Sequence, residues 1–260
     1  MFSTTRALEQ LGSARDRVGS AIANASARTG VDFRYMLQQA KIESGLNPDA
    51  RARTSSAIGL FQFIEQTWLG TVKKHGAAHG LEGAANAISQ GRDGRYRVAD
   101  PTARAAILDL RRQPEAASAM AAEFAADNQQ YLETKLGRPM QSVDLYLAHF
   151  LGAGGAERFL SAHDADPNTP AAGLLPDAAR ANRGIFYAKS GAPRSLAEIR
   201  DRFAAKLDGG SAAPARGVPA GPTDYATVRM AAATNPAQPI AGPTPTYARL
   251  AYLMLAELGG

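Results

Sequence analysis

A helical pattern opens at Pro114 and runs through Ala126 to Leu136, where Gly137 and Pro139 end it. Alanine, glutamate and leucine, all strong helix formers, fill much of it. Elsewhere, alternating β-branched runs are almost absent, so the chain reads as mainly helical. The same punctuation recurs along the sequence. Asp32 is placed to cap a helix from Phe33 to Ser44, which Gly45 and Pro48 stop. Asp100 followed by Pro101 marks another helix start. Ser142 to Leu151 reads as a short apolar helix. Ser195 with Glu198 three residues on forms a capping box for a helix to about Leu207.

Of 260 residues, 45% are hydrophobic and 20% charged, enough apolar material for a real core. There is no cysteine, which excludes disulfide scaffolds, thiolate zinc sites, iron–sulfur ligation and a thiol nucleophile. No run approaches the roughly eighteen apolar residues that a membrane-spanning helix needs. The N-terminal stretch lacks an uninterrupted apolar core, so a standard secretory signal is not expected there. The net charge of +5 suits an anionic partner, a cell wall or a nucleic acid, without choosing between them.

Four segments are expected. Residues 1–30 read as an amphipathic helical arm carrying Leu8, Leu11, Val18 and Ile22, either packed on the main domain or standing apart. Residues 31–208 form the main domain. Seven of the fifteen prolines fall between Pro214 and Pro245, so 209–245 reads as a disordered linker rich in Pro, Gly and Ala. Residues 246–260 read as a short apolar C-terminal helix, docking on the parent domain or on a protein partner.

Few side chains offer chemistry. His75 and His79 are four apart, but Gly76 and Gly80 weaken that helix and no HExxH pattern follows. They read as solvated loop histidines, and no metal or other cofactor is expected. His163 has no evident partner. The glycines of Gly152–Ala156 follow no strand, which argues against a phosphate cradle.

The informative stretch is Tyr35 to Trp68. With Phe33 at the origin of a helical wheel, Met36 falls at about 300°, Leu37 at about 40° and Ala40 at about 340°, which defines an expected buried face. On that wheel Glu43 falls at about 280°, on the edge of the face and in the last turn. Partial burial and the negative end of the helix dipole both disfavour an anion there and favour a carboxyl that donates a proton. A surface glutamate at a helix end is the competing reading.

The whole string decides between them. Glu43-Ser44, Leu46-Asn47-Pro48, Ala50, then Ser56-Ala57-Ile58-Gly59-Leu60-Phe61-Gln62 resembles the soluble lytic transglycosylase family, with its Glu-Ser, Asn-Pro and Gly-Ala-x-Gly-Leu-Met-Gln. The resemblance implies an all-α, lysozyme-like domain. It implies cleavage of the β-1,4 bond between N-acetylmuramic acid and N-acetylglucosamine in peptidoglycan, without water, and no role for nucleic acid. It makes Glu43 the single acid/base, with Ser44, Gly59, Phe61 and Gln62 at the substrate. Phe61 and Phe63 read either as a sugar-stacking wall or as core. A second carboxylate would have to be Asp49 or Glu65, and neither has a helical relation to Glu43.

The sequence also departs from the family pattern. Where Ala-Tyr-Asn-Ala-Gly is common, Ala148 to Gly152 puts His149 at the tyrosine, and Tyr146 lies one turn away. His149 supplies the hydrogen bond to Glu43 through a ring nitrogen, or Tyr146 reaches in. Phe61 stands for methionine, Ala52 or Arg53 for a serine, and the Glu43–Gln62 loop is one residue longer than the common family spacing. Such divergence resembles phage and flagellar members, and the C-terminal tail is where a protein partner of a secretion, flagellar or phage assembly is expected to dock. Tyr187 either returns to the cleft or packs with Phe186. The substrate implies a periplasmic or cell-wall location by an unspecified export route. A non-catalytic wall-binding module and a hydrolytic muramidase are the alternatives.

Overall fold

The structure is a computed structural model that describes residues 2–52 and 55–208. The helices are α1 (Phe2–Thr29), α2 (Phe33–Ser44), α3 (Glu65–His75), α4 (Glu82–Ala87), α5 (Pro101–Asp109) and α6 (Pro114–Leu136). They continue with α7 (Ser142–Leu151), α8 (Ala153–Ala165), α9 (Ala171–Leu174), α10 (Pro176–Ala181), α11 (Arg183–Phe186) and α12 (Leu196–Leu207). The expected 209–245 linker and 246–260 helix lie outside the described residues.

The cap signals set the helix limits. The Asp32 carboxylate accepts from the Tyr35 N–H at 2.7 Å, and that of Asp100 accepts from the Ala103 N–H at 2.6 Å. Gly45 and Gly137 turn the chain out of α2 and α6 in the left-handed region. Ser195 and Glu198 make both halves of their capping box.

Helix α6 is the axis of the core. Ala117, Met120, Ala121, Ala122 and Leu132 are buried along it, and small alanines let α1, α3, α7 and α8 approach closely. Val18, Ala21, Ile22 and Ala25 of α1 are buried as well, and Arg17 forms a two-pronged ion pair with Glu115 of α6. From residue 17 onward α1 is thus a layer of the domain, not an arm set apart.

A small antiparallel hairpin escapes the all-helical reading. It pairs β1 (Ile88–Gln90) with β2 (Tyr96–Val98), Ser89 lying opposite Arg97. Three-residue strands are too short to display alternation.

The N-terminus of α7 is fixed by charge. Asp144 is fully buried and accepts from Arg138 of the α6–α7 loop and Arg200 of α12, both at 3.0 Å. Its carboxylate also caps the Gln141 N–H. This pins the helix that carries His149, because removing one member of such a buried network leaves uncompensated charge.

His75 and His79 correct the sequence reading. They are not solvated: the His79 side chain is 5% exposed, and both pack on α6. His79 Nε2 lies 2.6 Å from Glu123, and His75 lies between Glu123 at 3.2 Å and Asp127 at 2.8 Å. Among the described residues no metal-binding group of three or more His, Cys, Asp or Glu is present.

Candidate active site

Helix α2 is rolled relative to expectation. Tyr35, Met36, Gln39 and Ala40 are its buried residues, whereas Phe33 is 40% exposed. On the same wheel this face centres at about 270°, about 80° from the face expected from Met36, Leu37 and Ala40. Glu43 therefore lies in the middle of the inward face, not on its edge. Its side chain is 0% exposed.

Both Glu43 oxygens lack an aligned hydrogen-bond donor. His149 Nε2 of α7 lies 2.8 Å from Oε1, at ion-pair distance. On its other side the His149 ring meets α2 again, Nδ1 lying 3.1 Å from Gln39 Nε2. Tyr146 lies one turn back. Its ring stacks on that of His149, with centroids 5.9 Å apart and planes 26° apart, and stands edge-on to Phe203.

Two more groups feel the Glu43 charge. Burial first, and then that charge, push the Tyr35 phenol up from its ordinary value. Burial pushes Lys206 of α12 down to about 8, against the opposing attraction of Glu43. Lys206 Nζ also lies 5.9 Å from the centroid of the Tyr146 ring.

The loop after α2 carries the remaining family-matched residues. Gly59 has φ +86°, and a Cβ there would overlap the Arg111 carbonyl. Gln62 has φ 46°, unusual for a residue with a side chain. Its amide donates to the Gly59 carbonyl at 3.0 Å and the Ala50 carbonyl at 3.2 Å, so the side chain holds the loop in shape. The Ser44 hydroxyl lies 3.0 Å from the carbonyls of both Ala40 and Leu60, linking the end of α2 to this loop. Phe61 and Phe63 are both buried and both line a pocket. Both rings thus belong to the core and border that pocket.

That pocket also takes in Tyr35, Gln39, Gln62 and His149, together with Thr67 and Asn128. Thr67 Oγ1 is buried without a hydrogen-bond partner. Asp49 and Glu65, the candidates for a second carboxylate, face other partners: Asp49 pairs with Arg112 and Glu65 with Arg104. Phe186 is fully buried, and Tyr187 packs under the Arg183 guanidinium, 4.7 Å from its ring centroid.

The sequence reading missed Gln39, Tyr35, Lys206 and Arg111. Only Gln39 carried a signal, standing four residues before Glu43 on one helix face. Arg111 is 4% exposed; its guanidinium donates to the carbonyls of Ser56, Phe63 and Leu108 at 2.8–2.9 Å and so braces the 56–63 loop from behind.

Residues 20–148 match the family model described as Transglycosylase SLT domain. The matched stretch holds Glu43, Ser44, Gly59, Phe61, Gln62 and Tyr146, and stops one residue before His149. With a mostly helical fold around these residues, the matched stretch is consistent with a lysozyme-like transglycosylase domain of the SLT type.

Proposed function

We propose that this chain cleaves the β-1,4 bond between N-acetylmuramic acid and N-acetylglucosamine, with Glu43 as its acid and base. The SLT family acts on peptidoglycan, which sets the substrate class. The observation that carries the reading is a carboxyl fully withdrawn from water and set behind Gln39 and His149, which line a polar and aromatic pocket.

A carboxyl withdrawn from water in this way is placed to exchange a proton with a bound sugar and not with solvent. Glu43 gives its proton to the glycosidic oxygen as the bond to the anomeric carbon breaks. The substrate's own N-acetyl oxygen stabilises the positive charge left on that carbon. The muramoyl 6-hydroxyl then attacks the carbon and returns its proton to Glu43, closing a 1,6-anhydro ring without consuming water. His149 faces the carboxyl throughout. The ties of Asp49 and Glu65 to arginines favour this one-carboxylate route over a muramidase that needs a second carboxylate.

Purified protein acting on isolated sacculi is expected to release anhydro-muropeptides, lighter by one water than hydrolysis products. Glu43→Gln is expected to release none while still binding glycan. Reducing muramic ends would instead indicate hydrolysis, and sacculus binding with no release by the native protein would indicate a wall-binding module. Periplasm or cell wall is the location that this substrate requires. Residues 209–260 are proposed as the contact to an assembly partner, to be tested by comparing sacculus localisation with and without them.

A further inference from the structure

His149 reaches helix α2 twice. Its Nδ1 lies 3.1 Å from Gln39 Nε2 and its Nε2 lies 2.8 Å from Glu43 Oε1. Gln39 and Glu43 stand one turn apart on one face of α2, so a single imidazole spans both. Gln39 is 5% exposed, which leaves little room for water to take the place of its amide.

A neutral imidazole carries one proton and presents one lone pair. A proton on Nδ1 would point at the Gln39 N–H group, donor against donor. The Nε2 lone pair would then face the carboxylate, acceptor against acceptor. A proton on Nε2 turns both contacts into attractions. Rotating the amide would let its oxygen accept from Nδ1–H, but the Nε2 lone pair would still face Oε1. That arrangement is stable only if Glu43 aims its own proton at the ring, away from any substrate. Tyr146, stacked on the imidazole, holds the ring plane in which this choice is made.

Resting on Glu43 as the acid/base, we propose that Gln39 is a positioning residue: its amide N–H fixes His149 as the Nε2–H tautomer, so that the ring faces Glu43 as a donor. His149 then assists the carboxylate formed after proton donation and leaves the second oxygen to the substrate. It does the work of a phenol hydroxyl only because Gln39 occupies its other nitrogen.

The test is nitrogen NMR on the full chain with labelled histidine, the His149 signals being assigned by comparison with His149→Gln. The native protein is expected to show the Nε2–H form alone. In Gln39→Leu the two tautomers mix. Gln39→Glu puts an acceptor at Nδ1 as well, so a ring held between two carboxylates is expected to show protons on both nitrogens. On a soluble glycan oligomer both variants are expected to lose roughly 10–100-fold in kcat with KM little changed, the size of one charge-assisted hydrogen bond. An Nδ1–H ring in the native protein, or a Gln39→Leu spectrum identical to native, overturns the proposal. The native spectrum alone decides if Gln39→Leu does not fold. Absence of anhydro products from the native protein would overturn the proposed reaction, while the tautomer spectra would still judge Gln39.

Discussion

The backbone carbonyl of Arg111 fills the space where a side chain at Gly59 would begin, and the guanidinium of the same arginine holds the loop on both sides of that glycine. One residue thus fixes both the shape of the 56–63 loop and its distance from the core.

Gly59→Ala is expected to destabilise the fold by about 2–4 kcal/mol, from a left-handed φ combined with direct overlap against backbone. The urea midpoint measures this. A midpoint within error of the native value would mean that the loop shifts freely.

Arg111→Met should cost about 3–5 kcal/mol, because the carbonyls of Ser56, Phe63 and Leu108 lose their donor inside the protein. Burial lowers the Arg111 pKa to about 10, so it remains charged at neutral pH. Arg111→Lys should rescue little, since a single ammonium cannot reproduce the planar fork. Urea unfolding of both variants compares these costs directly.

Glu43→Gln should be more stable than the native protein by about 1–2 kcal/mol at neutral pH, even as turnover is lost. A carboxylate buried to this degree carries a desolvation cost that a neutral amide of the same shape largely avoids, and the amide oxygen can still accept from His149. Thermal and urea unfolding at matched pH would show the gain, and a loss of stability would mean that the carboxylate is well compensated.

Lys206 gives a pH signature. Its folded pKa is lowered to about 8 from an ordinary 10.5. Below about pH 8 both folded and unfolded chains hold the proton, and the fold bears the whole burial cost. Between about 8 and 10.5 the unfolded chain binds more protons, so this residue's contribution to stability rises with pH. Lys206→Met should be more stable than native below that window, and the difference should shrink across it. Urea midpoints from pH 7 to about 10.5 check the trend. A constant difference would mean that Lys206 titrates normally.

Helix limits were legible wherever a local signal exists. Asp32, Asp100, Ser195, Gly45 and Gly137 each act within a few residues, and the helices begin and end at them. Glu43 and His149 were legible through a motif resemblance, although 106 positions separate them along the chain. The roll of α2 was not, because a wheel assumes that apolar residues turn inward. Here Phe33 faces water, while Gln39 and Glu43 face a polar site. Nor was the role of His75 and His79 visible, since Glu123 and Asp127 stand far along the sequence on α6. Arg111 gave no signal at all: its acceptors are main-chain carbonyls, which no side-chain pattern encodes.

The anchoring of Asp144 between Arg138 and Arg200 has a bearing on where this domain can be cut. A fragment trimmed to residues 20–148 would keep the carboxyl but discard the imidazole facing it, along with the arginine that steadies the same helix from α12. A fragment meant to test Glu43 should therefore run at least to the end of α12, so that His149 and Arg200 are both retained.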